Sequence, residues 1–146
     1  MTLNLITLLY ISNFNQVDAL LYKHAAKGVD VAELSAAIKH EAGAVGVDPV
    51  FITRLVLLES RGVSHAYNKK TNDRGILQIN KHTARAYKLQ DNCITDMRCN
   101  LRAGIKILKD MKRSSRFRQC SYNLGNKVDR YKKVCNDYER KLNSFK

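Results

Sequence analysis

The segment 48–62 carries signals for a helix with a buried face and two marked ends. Asp48 can accept a hydrogen bond from a free backbone N–H, and Pro49 at the first helical position lacks the N–H that would go unpaired. Gly62 marks the other end. Between these ends, position 52 and the positions three and four residues after it are apolar. The position seven residues after it, on the same face of the helix, holds Glu59. The apolar positions are Ile52, Leu55 and Val56.

Similar periodicity elsewhere predicts a mainly α protein. Helices are predicted over 16–27, 31–42, 81–87, 99–112, 115–123 and 128–142. The apolar stretch 3–11 is expected to form a first helix or a buried arm. Residues 64–74 are polar and rich in turn formers, so at most a small β element is expected between residues 66 and 80. The inward faces of the first two predicted helices hold Val17, Leu20, Leu21, His24, Val31, Leu34 and Ile38.

Length and composition indicate one packed domain. The chain has 146 residues, 45% of them hydrophobic, and one proline, which is typical of a globular domain with its own core. No apolar run reaches the roughly 20 residues that a membrane-spanning helix needs. No Lys or Arg precedes the stretch 3–11 and no small-residue cleavage site follows it, so we expect no cleaved signal peptide.

Positive charge is concentrated in the second part of the chain. Residues 1–80 carry 8 basic and 7 acidic side chains, whereas residues 81–146 carry 18 and 6, so nearly all of the net charge of +13 lies in the second range. Such a surface attracts polyanions through a long-range, salt-sensitive field. Nucleic acid, an anionic cell wall and a merely solvated helical surface are all compatible with this charge.

The four cysteines all fall late in the chain. An even number in a basic, less apolar region favours two disulfides formed in an oxidising compartment, and three pairings are open. Zinc binding is a weaker alternative because no Cys-x2-Cys pair occurs and the histidines are scattered, so we expect no metal. Free core cysteines are the third alternative. The residues are Cys93, Cys99, Cys120 and Cys135.

Glu59 stands where the apolar face of its helix predicts a leucine. Burial disfavours the ionised carboxylate and raises its pKa, and the last turn of a helix adds the negative end of the helix dipole. A carboxylic acid that keeps its proton near neutral pH can protonate a glycosidic oxygen. The alternative is a glutamate that reaches solvent at a frayed helix end.

Four short motifs follow one another in the chain: Gly-Val-Asp-Pro at 46–49, Glu-Ser at 59–60, Gly-Ile-Leu-Gln-Ile at 75–79 and Tyr-Asn-Leu-Gly at 122–125. In this order and at this spacing they resemble the soluble-lytic-transglycosylase-like (SLT) catalytic domain of the lysozyme-like superfamily. The segment 99–104, Cys-Asn-Leu-Arg-Ala-Gly, resembles the small transglycosylases of secretion and conjugation systems and of phage particles. The resemblance covers residues 46–140 of a single domain and leaves 1–45 as an N-terminal helical extension.

The resemblance implies a lytic transglycosylase that cuts the MurNAc-β-1,4-GlcNAc bond of peptidoglycan and leaves 1,6-anhydro-MurNAc ends. Glu59 would act as general acid and then as base, without a cofactor. Peptidoglycan glycan strands are the expected partner, and nucleic acid is not. Action at the bacterial cell wall or periplasm is expected, with delivery by a virion, a secretion system or lysis left open. Further residues expected to contact the substrate or shape its groove are Ser60, Gln78, Tyr122 and Asn123.

Asp73 keeps a hydrolytic alternative open. Residues 71–80 also resemble the active-site hairpin of animal-type lysozymes, in which an Asp stands two residues before the same glycine, here Gly75. If Asp73 faces the groove, a muramidase that uses it together with Glu59 becomes possible. The preferred interpretation is a turn residue, because Asp is common in turns such as Asn-Asp-Arg-Gly.

Two classes without glycosidase activity are further alternatives. A helical nucleic-acid-binding domain would use the basic runs 106–118 and 127–133 against phosphates. It would explain the charge but not the ordered motifs. A lysozyme-like domain that only binds glycan is disfavoured because Glu59, Gln78 and Tyr122 are all present.

Overall fold

The structure is a computed structural model that describes residues 4–113, 119–124 and 132–146. Three short strands form one antiparallel sheet in the order β1-β2-β3: β1 (Tyr67–Asn68), β2 (Asp73–Arg74) and β3 (Ile79–Asn80). The expectation of a mainly α, lysozyme-like domain with a small β element is confirmed. The helices are α1 (Leu5–His24), α2 (Val31–Ala44), α3 (Pro49–Ser60), α4 (Lys81–Ala86), α5 (Asp91–Thr95), α6 (Met97–Met111), α7 (Ser121–Leu124) and α8 (Lys132–Ser144).

Helices α1, α2 and α3 pack against one another around an apolar core. The Asp30 side chain caps α2, and the Asp48 side chain caps α3 by accepting the backbone N–H of Val50 at 2.9 Å. Burial of each large aliphatic side chain stabilises the fold by roughly 1.5–3 kcal/mol. This core therefore fixes the rotation of α3 and the direction in which its last turn points. The predicted inward residues that are buried in it are Val17, Leu20, Leu21, Leu34, Ile38, Ile52, Leu55 and Val56.

The N-terminal region differs from the prediction. Helix α1 runs without a break from Leu5 to His24, so residues 5–11 of the apolar stretch and residues 16–24 of the next predicted helix belong to one element. The interpretation of 3–11 as a buried arm is wrong, because Leu5 and Ile6 are 73% and 78% exposed. Beyond Ala25, which has an extended backbone, the chain turns into α2.

Helix boundaries in the second half agree with the prediction only in part. Helix α5 was not predicted, since five residues are too few to show a helical period. The predictions over 115–123 and 128–142 fall partly outside the described residues, which hold α7 and α8 in those regions. Among the described residues, no helix combines the length and the apolar character needed to cross a membrane.

Buried Asn100 of α6 fixes the segment between β2 and β3. Its Oδ1 accepts the backbone N–H of Leu77 at 2.9 Å, and its Nδ2 donates to the carbonyl of Ile94 at 2.8 Å and to that of Arg74 at 3.2 Å. Gly75 has φ +80°, and a Cβ there would lie 2.1 Å from Asn100 Nδ2. Only glycine fits at position 75, where the segment between β2 and β3 passes close to α6.

All four cysteines are paired, as expected, and the structure selects one of the three pairings. Cys93–Cys99 joins α5 to α6, and Cys120–Cys135 joins the residue before α7 to α8. Glu139 lies close to the Cys120 and Cys135 sulfurs. Because those sulfurs are bonded to each other, this cluster has no thiolate ligands to offer a metal.

Candidate active site

Glu59 lies in the last turn of α3, where the helix ends with a left-handed residue. Arg61 has φ +54° and donates its backbone N–H to the carbonyl of Leu57. The helix therefore stops directly beyond Ser60, and the Glu59 side chain lies at an open end of the core rather than within it. The position also exposes the carboxyl group to the negative end of the helix dipole.

An open groove extends to both sides of Glu59. A cleft of about 420 Å³ lies on one side, and a shallower depression of about 610 Å³ lies on the other. Glu59 and Gln78 line both, so these two side chains stand at the middle of the groove. The cleft is lined further by Thr71, Asp73, Ile79, Asn80, Thr83, Ile107, Met111 and Tyr122.

The carboxyl group of Glu59 holds its proton more tightly than an exposed glutamate does. Burial raises its pKa from 4.5 to about 7, the hydrogen bond from Tyr138 works against this rise, and the negative charge of Asp73 adds to it. The Tyr138 hydroxyl donates to Glu59 Oε1 at 2.5 Å. At neutral pH the group is therefore divided between acid and carboxylate, which suits a residue that must give a proton and take one back.

Ser60 and Gln78 both bond to the backbone around the groove. The Ser60 hydroxyl donates to the carbonyl of Ile76 at 2.7 Å and accepts the N–H of Gly62 at 3.2 Å. Gln78 Nε2 donates to the carbonyls of Gly75 at 2.9 Å and Ala66 at 3.1 Å. The two side chains thus tie the end of α3 and the region of the sheet together. In this arrangement the amide oxygen of Gln78 has no hydrogen bond to the described residues.

Tyr122 lies against the groove, but its hydroxyl does not bond to Glu59. It donates instead to the carbonyl of Leu77 at 2.8 Å. Gly104 of α6 makes room for this contact, because a Cβ there would lie 2.4 Å from Leu77 Cδ1 and 3.1 Å from the Tyr122 hydroxyl. The backbone of Asn123 belongs to α7, whereas its side chain and the motif glycine at 125 lie outside the described residues.

Asp73 lies in strand β2, so its interpretation as a turn residue is wrong. The left-handed turn that precedes it is made by Asn72, with φ +61°. Asn80 Nδ2 donates to Asp73 Oδ1 at 2.8 Å, and Thr71 Oγ1 donates to Oδ2 at 2.5 Å. The pairing of β2 with β3 directs this carboxylate into the cleft that Glu59 also lines.

Tyr138 is the site residue to which the sequence had given no role. Its spacing from Cys135 and Leu142, both buried on α8, indicates an inward-facing position. Nothing local shows what lies opposite, because its partner Glu59 is 79 residues away in the chain. Only the packing of α8 against α3 brings the two side chains together.

Comparison with known proteins gives one result that bears on this site. A family model described as the transglycosylase SLT domain matches residues 36–144. The matched range includes α3, the whole sheet, α6 and α8, and so every residue placed around the groove. No curated protein and no solved structure gives a match.

Proposed function

The chain belongs to the transglycosylase SLT family, which acts on peptidoglycan, and we propose that Glu59 is its general acid and base. The bond cut is the β-1,4 linkage between MurNAc and GlcNAc, and the product carries a 1,6-anhydro-MurNAc end. One observation carries this proposal. It is a carboxyl group with a pKa of about 7, placed at the middle of an open groove.

The first half of the reaction uses the protonated form of Glu59. Its proton passes to the glycosidic oxygen as the bond from that oxygen to C1 of MurNAc breaks, and the bonding electron pair leaves with the oxygen. C1 develops the positive charge of an oxocarbenium ion. Glu59 is then a carboxylate, and the hydrogen bond from Tyr138 stabilises this charge.

The second half of the reaction returns the proton. The 6-hydroxyl of the same MurNAc attacks C1 and gives its proton to the Glu59 carboxylate, which closes the anhydro ring and restores the acid. No water is consumed, and no second carboxylate is required. The hydrogen bonds of Ser60 and Gln78 to the backbone hold the groove in place during both halves.

Hydrolysis with Asp73 is the second candidate, because Asp73 lines the same cleft as Glu59. In that reaction the carboxylate would stabilise the charge at C1 or activate a water, and the product would be an ordinary reducing end. Both oxygens of Asp73 already accept hydrogen bonds, one from Asn80 of β3 and one from Thr71 of the turn before β2, which favours a positioning role for it. The two candidates therefore differ in the product and not in the bond that is cut.

Muropeptide analysis of digested sacculi tests the proposal. The wild-type protein is expected to release products lighter by one water than the hydrated muropeptides. Glu59→Gln is expected to release none, because an amide cannot donate this proton, while Asp73→Asn keeps the anhydro product at reduced rate. Retained activity in Glu59→Gln would remove Glu59 from the acid role, and hydrated products from the wild type would establish hydrolysis.

The site of action is the bacterial cell wall. The resemblance of the segment 99–104 to transglycosylases of secretion and conjugation machines supports delivery by such a machine, with a phage particle or lysis as the other routes. Recovery of the protein bound to a purified secretion apparatus or virion would identify the route.

A further inference from the structure

The two halves of the groove differ in charge. Among the described residues, the half beside β1 is lined by three cationic side chains, Arg61, Lys69 and Lys70, and by no carboxylate other than Glu59. The described residues of the cleft on the other side include the carboxylate of Asp73 and no Lys or Arg. The positive charge that the described residues bring to the groove therefore lies on the β1 side of Glu59.

The three cations have no acidic partner among the described residues. All three are exposed, and none forms a salt bridge within the described part of the chain. Some surface cations elsewhere are paired, for example Lys39 with Asp18 at 2.9 Å. Three neighbouring cations without a counter-charge repel one another, and an anionic ligand relieves that repulsion.

Local structure holds these cations at the edge of the groove. Arg61 is fixed by the end of α3, where its backbone N–H bonds to Leu57. Lys69 and Lys70 lie in the turn between β1 and β2. Asn68 closes this turn, because its side chain accepts the N–H of Lys70 at 3.1 Å and its carbonyl accepts the N–H of Asn72 at 2.8 Å.

An aromatic side chain completes the same wall. Tyr67 of β1 lines the depression, and the guanidinium of Arg74, its partner across the sheet, lies 4.7 Å from the centre of its ring. This stacking keeps Tyr67 in place and adds a fourth positive charge behind the ring. The β1 half of the groove thus offers an aromatic ring bordered by cations.

We propose that the β1 half of the groove binds the carboxylates of the peptide stem that MurNAc carries. The proposal rests on the proposed function, since it assigns a further part of the same substrate to this side of Glu59. Each stem is attached to a sugar of the scissile bond and carries more than one carboxylate along its peptide, and a stem whose carboxylates are neutral cannot pair with Arg61, Lys69 and Lys70. The enzyme accordingly prefers strands with free stem carboxylates.

One pair of substrates isolates this charge effect. Soluble peptidoglycan fragments are divided into two batches, one left untreated and one with its carboxylates converted to neutral amides by carbodiimide and ammonia. The wild type is expected to cleave the untreated batch with kcat/KM about fivefold higher, as two or three exposed ion pairs allow. The preference is expected to shrink with added salt, because the pairs are exposed.

Two matched double variants test the residues. Lys69→Gln/Lys70→Gln is expected to lose about fivefold in kcat/KM on the untreated batch and little on the amidated one. Lys81→Gln/Arg85→Gln removes the same charge from α4, where neither residue lines the groove, and keeps the wild-type preference. Arg61→Gln alone is expected to reduce the preference for the untreated batch in part. Equal melting temperatures show that all variants fold.

Each outcome has a distinct meaning. Equal kcat/KM of the wild type on both batches, or an equal loss on both batches in Lys69→Gln/Lys70→Gln, overturns the assignment of the stem to this side. Failure of the wild type to release fragments from either batch contradicts the proposed function itself and is recognised without any variant.

Discussion

The ionised form of Glu59 lowers the free energy of unfolding at alkaline pH. The size of this loss follows from the rise in the pKa of Glu59. Its pKa is raised from 4.5 to about 7, so the folded state binds this proton more tightly than the unfolded chain does. This loss of stability is absent below pH 4.5 and grows between pH 4.5 and about 7. Above that range the difference between the two pKa values corresponds to about 3 kcal/mol.

Glu59→Gln should therefore stabilise the protein at pH 8 while it abolishes activity. Relative to the wild type, the free energy of unfolding in urea is expected to rise by up to about 3 kcal/mol at pH 8. At pH 4.5 the two proteins should differ little, because the wild-type carboxyl group is then protonated in the folded state. A gain of equal size at both pH values would show that packing, not ionisation, is responsible.

Tyr138 lowers the pKa of Glu59 below the value that burial alone would give. Tyr138→Phe removes this hydrogen bond, so the pKa of Glu59 rises and the acid form persists to higher pH. The alkaline limb of kcat/KM against pH, expected near pH 7 in the wild type, should move upward. The limiting rate should fall, because the carboxylate that Glu59 forms in the proposed reaction loses its donor.

The matched control is Tyr122→Phe. The hydroxyl that this change removes bonds to the carbonyl of Leu77 and not to Glu59. This change leaves a buried carbonyl without its partner and should cost about 1–3 kcal/mol in stability. It should leave the alkaline limb where it is. A limb that stays in place or moves downward in Tyr138→Phe would contradict the assigned role of that hydrogen bond.

At the scale of elements, the disulfide between Cys120 and Cys135 holds the two helices that carry the site tyrosines. Cys120 precedes Tyr122 by two residues, and Cys135 lies one turn before Tyr138, which packs against the disulfide. The Cys93–Cys99 disulfide joins α5 to α6, and neither of its cysteines lines the groove. The two disulfides should therefore affect activity differently.

Replacement of each pair by serine separates stability from activity. Both double variants are expected to lose on the order of 2–3 kcal/mol in the free energy of unfolding. Only Cys120→Ser/Cys135→Ser should also lower kcat/KM, by about tenfold, since a misplaced catalytic group costs that much or more. An equal fall in kcat/KM for both variants, assayed where both are folded, would deny the Cys120–Cys135 pair a positioning role.

For the whole molecule, we expect the net charge of +13 to govern the approach to the wall. Because most of this charge lies in residues 81–146 and the wall is anionic, long-range attraction should raise the association rate at low ionic strength. Adsorption to sacculi is expected to fall steeply as the salt concentration rises from about 50 mM to about 500 mM, where the Debye length shortens from roughly 14 Å to 4 Å.

Sedimentation of sacculi with the bound Glu59→Gln variant measures this adsorption without digestion of the substrate. The melting temperature over the same salt range is the control, and it should change little. Adsorption that does not depend on salt would show that contacts within the groove, rather than the overall charge, hold the protein on the wall.

The sequence by itself determined the local features of this protein. The cap at Asp48, the buried face of α3 and the position of Glu59 on that face all depend on neighbours within a few residues, so their signals are present in any short window of the chain. The small β element between residues 66 and 80 follows from turn-forming residues in the same way. The order of the motifs then indicated the family.

Only the tertiary structure decided which distant groups meet. The hydrogen bond of Tyr138 to Glu59 and the contact of Tyr122 with Leu77 join residues 79 and 45 positions apart. The position of α8 beside the residues around α7 pairs Cys120 with Cys135. The pairing of the strands turns Asp73 into the cleft. Such contacts depend on the burial of whole faces against one another, for which no short segment carries a signal.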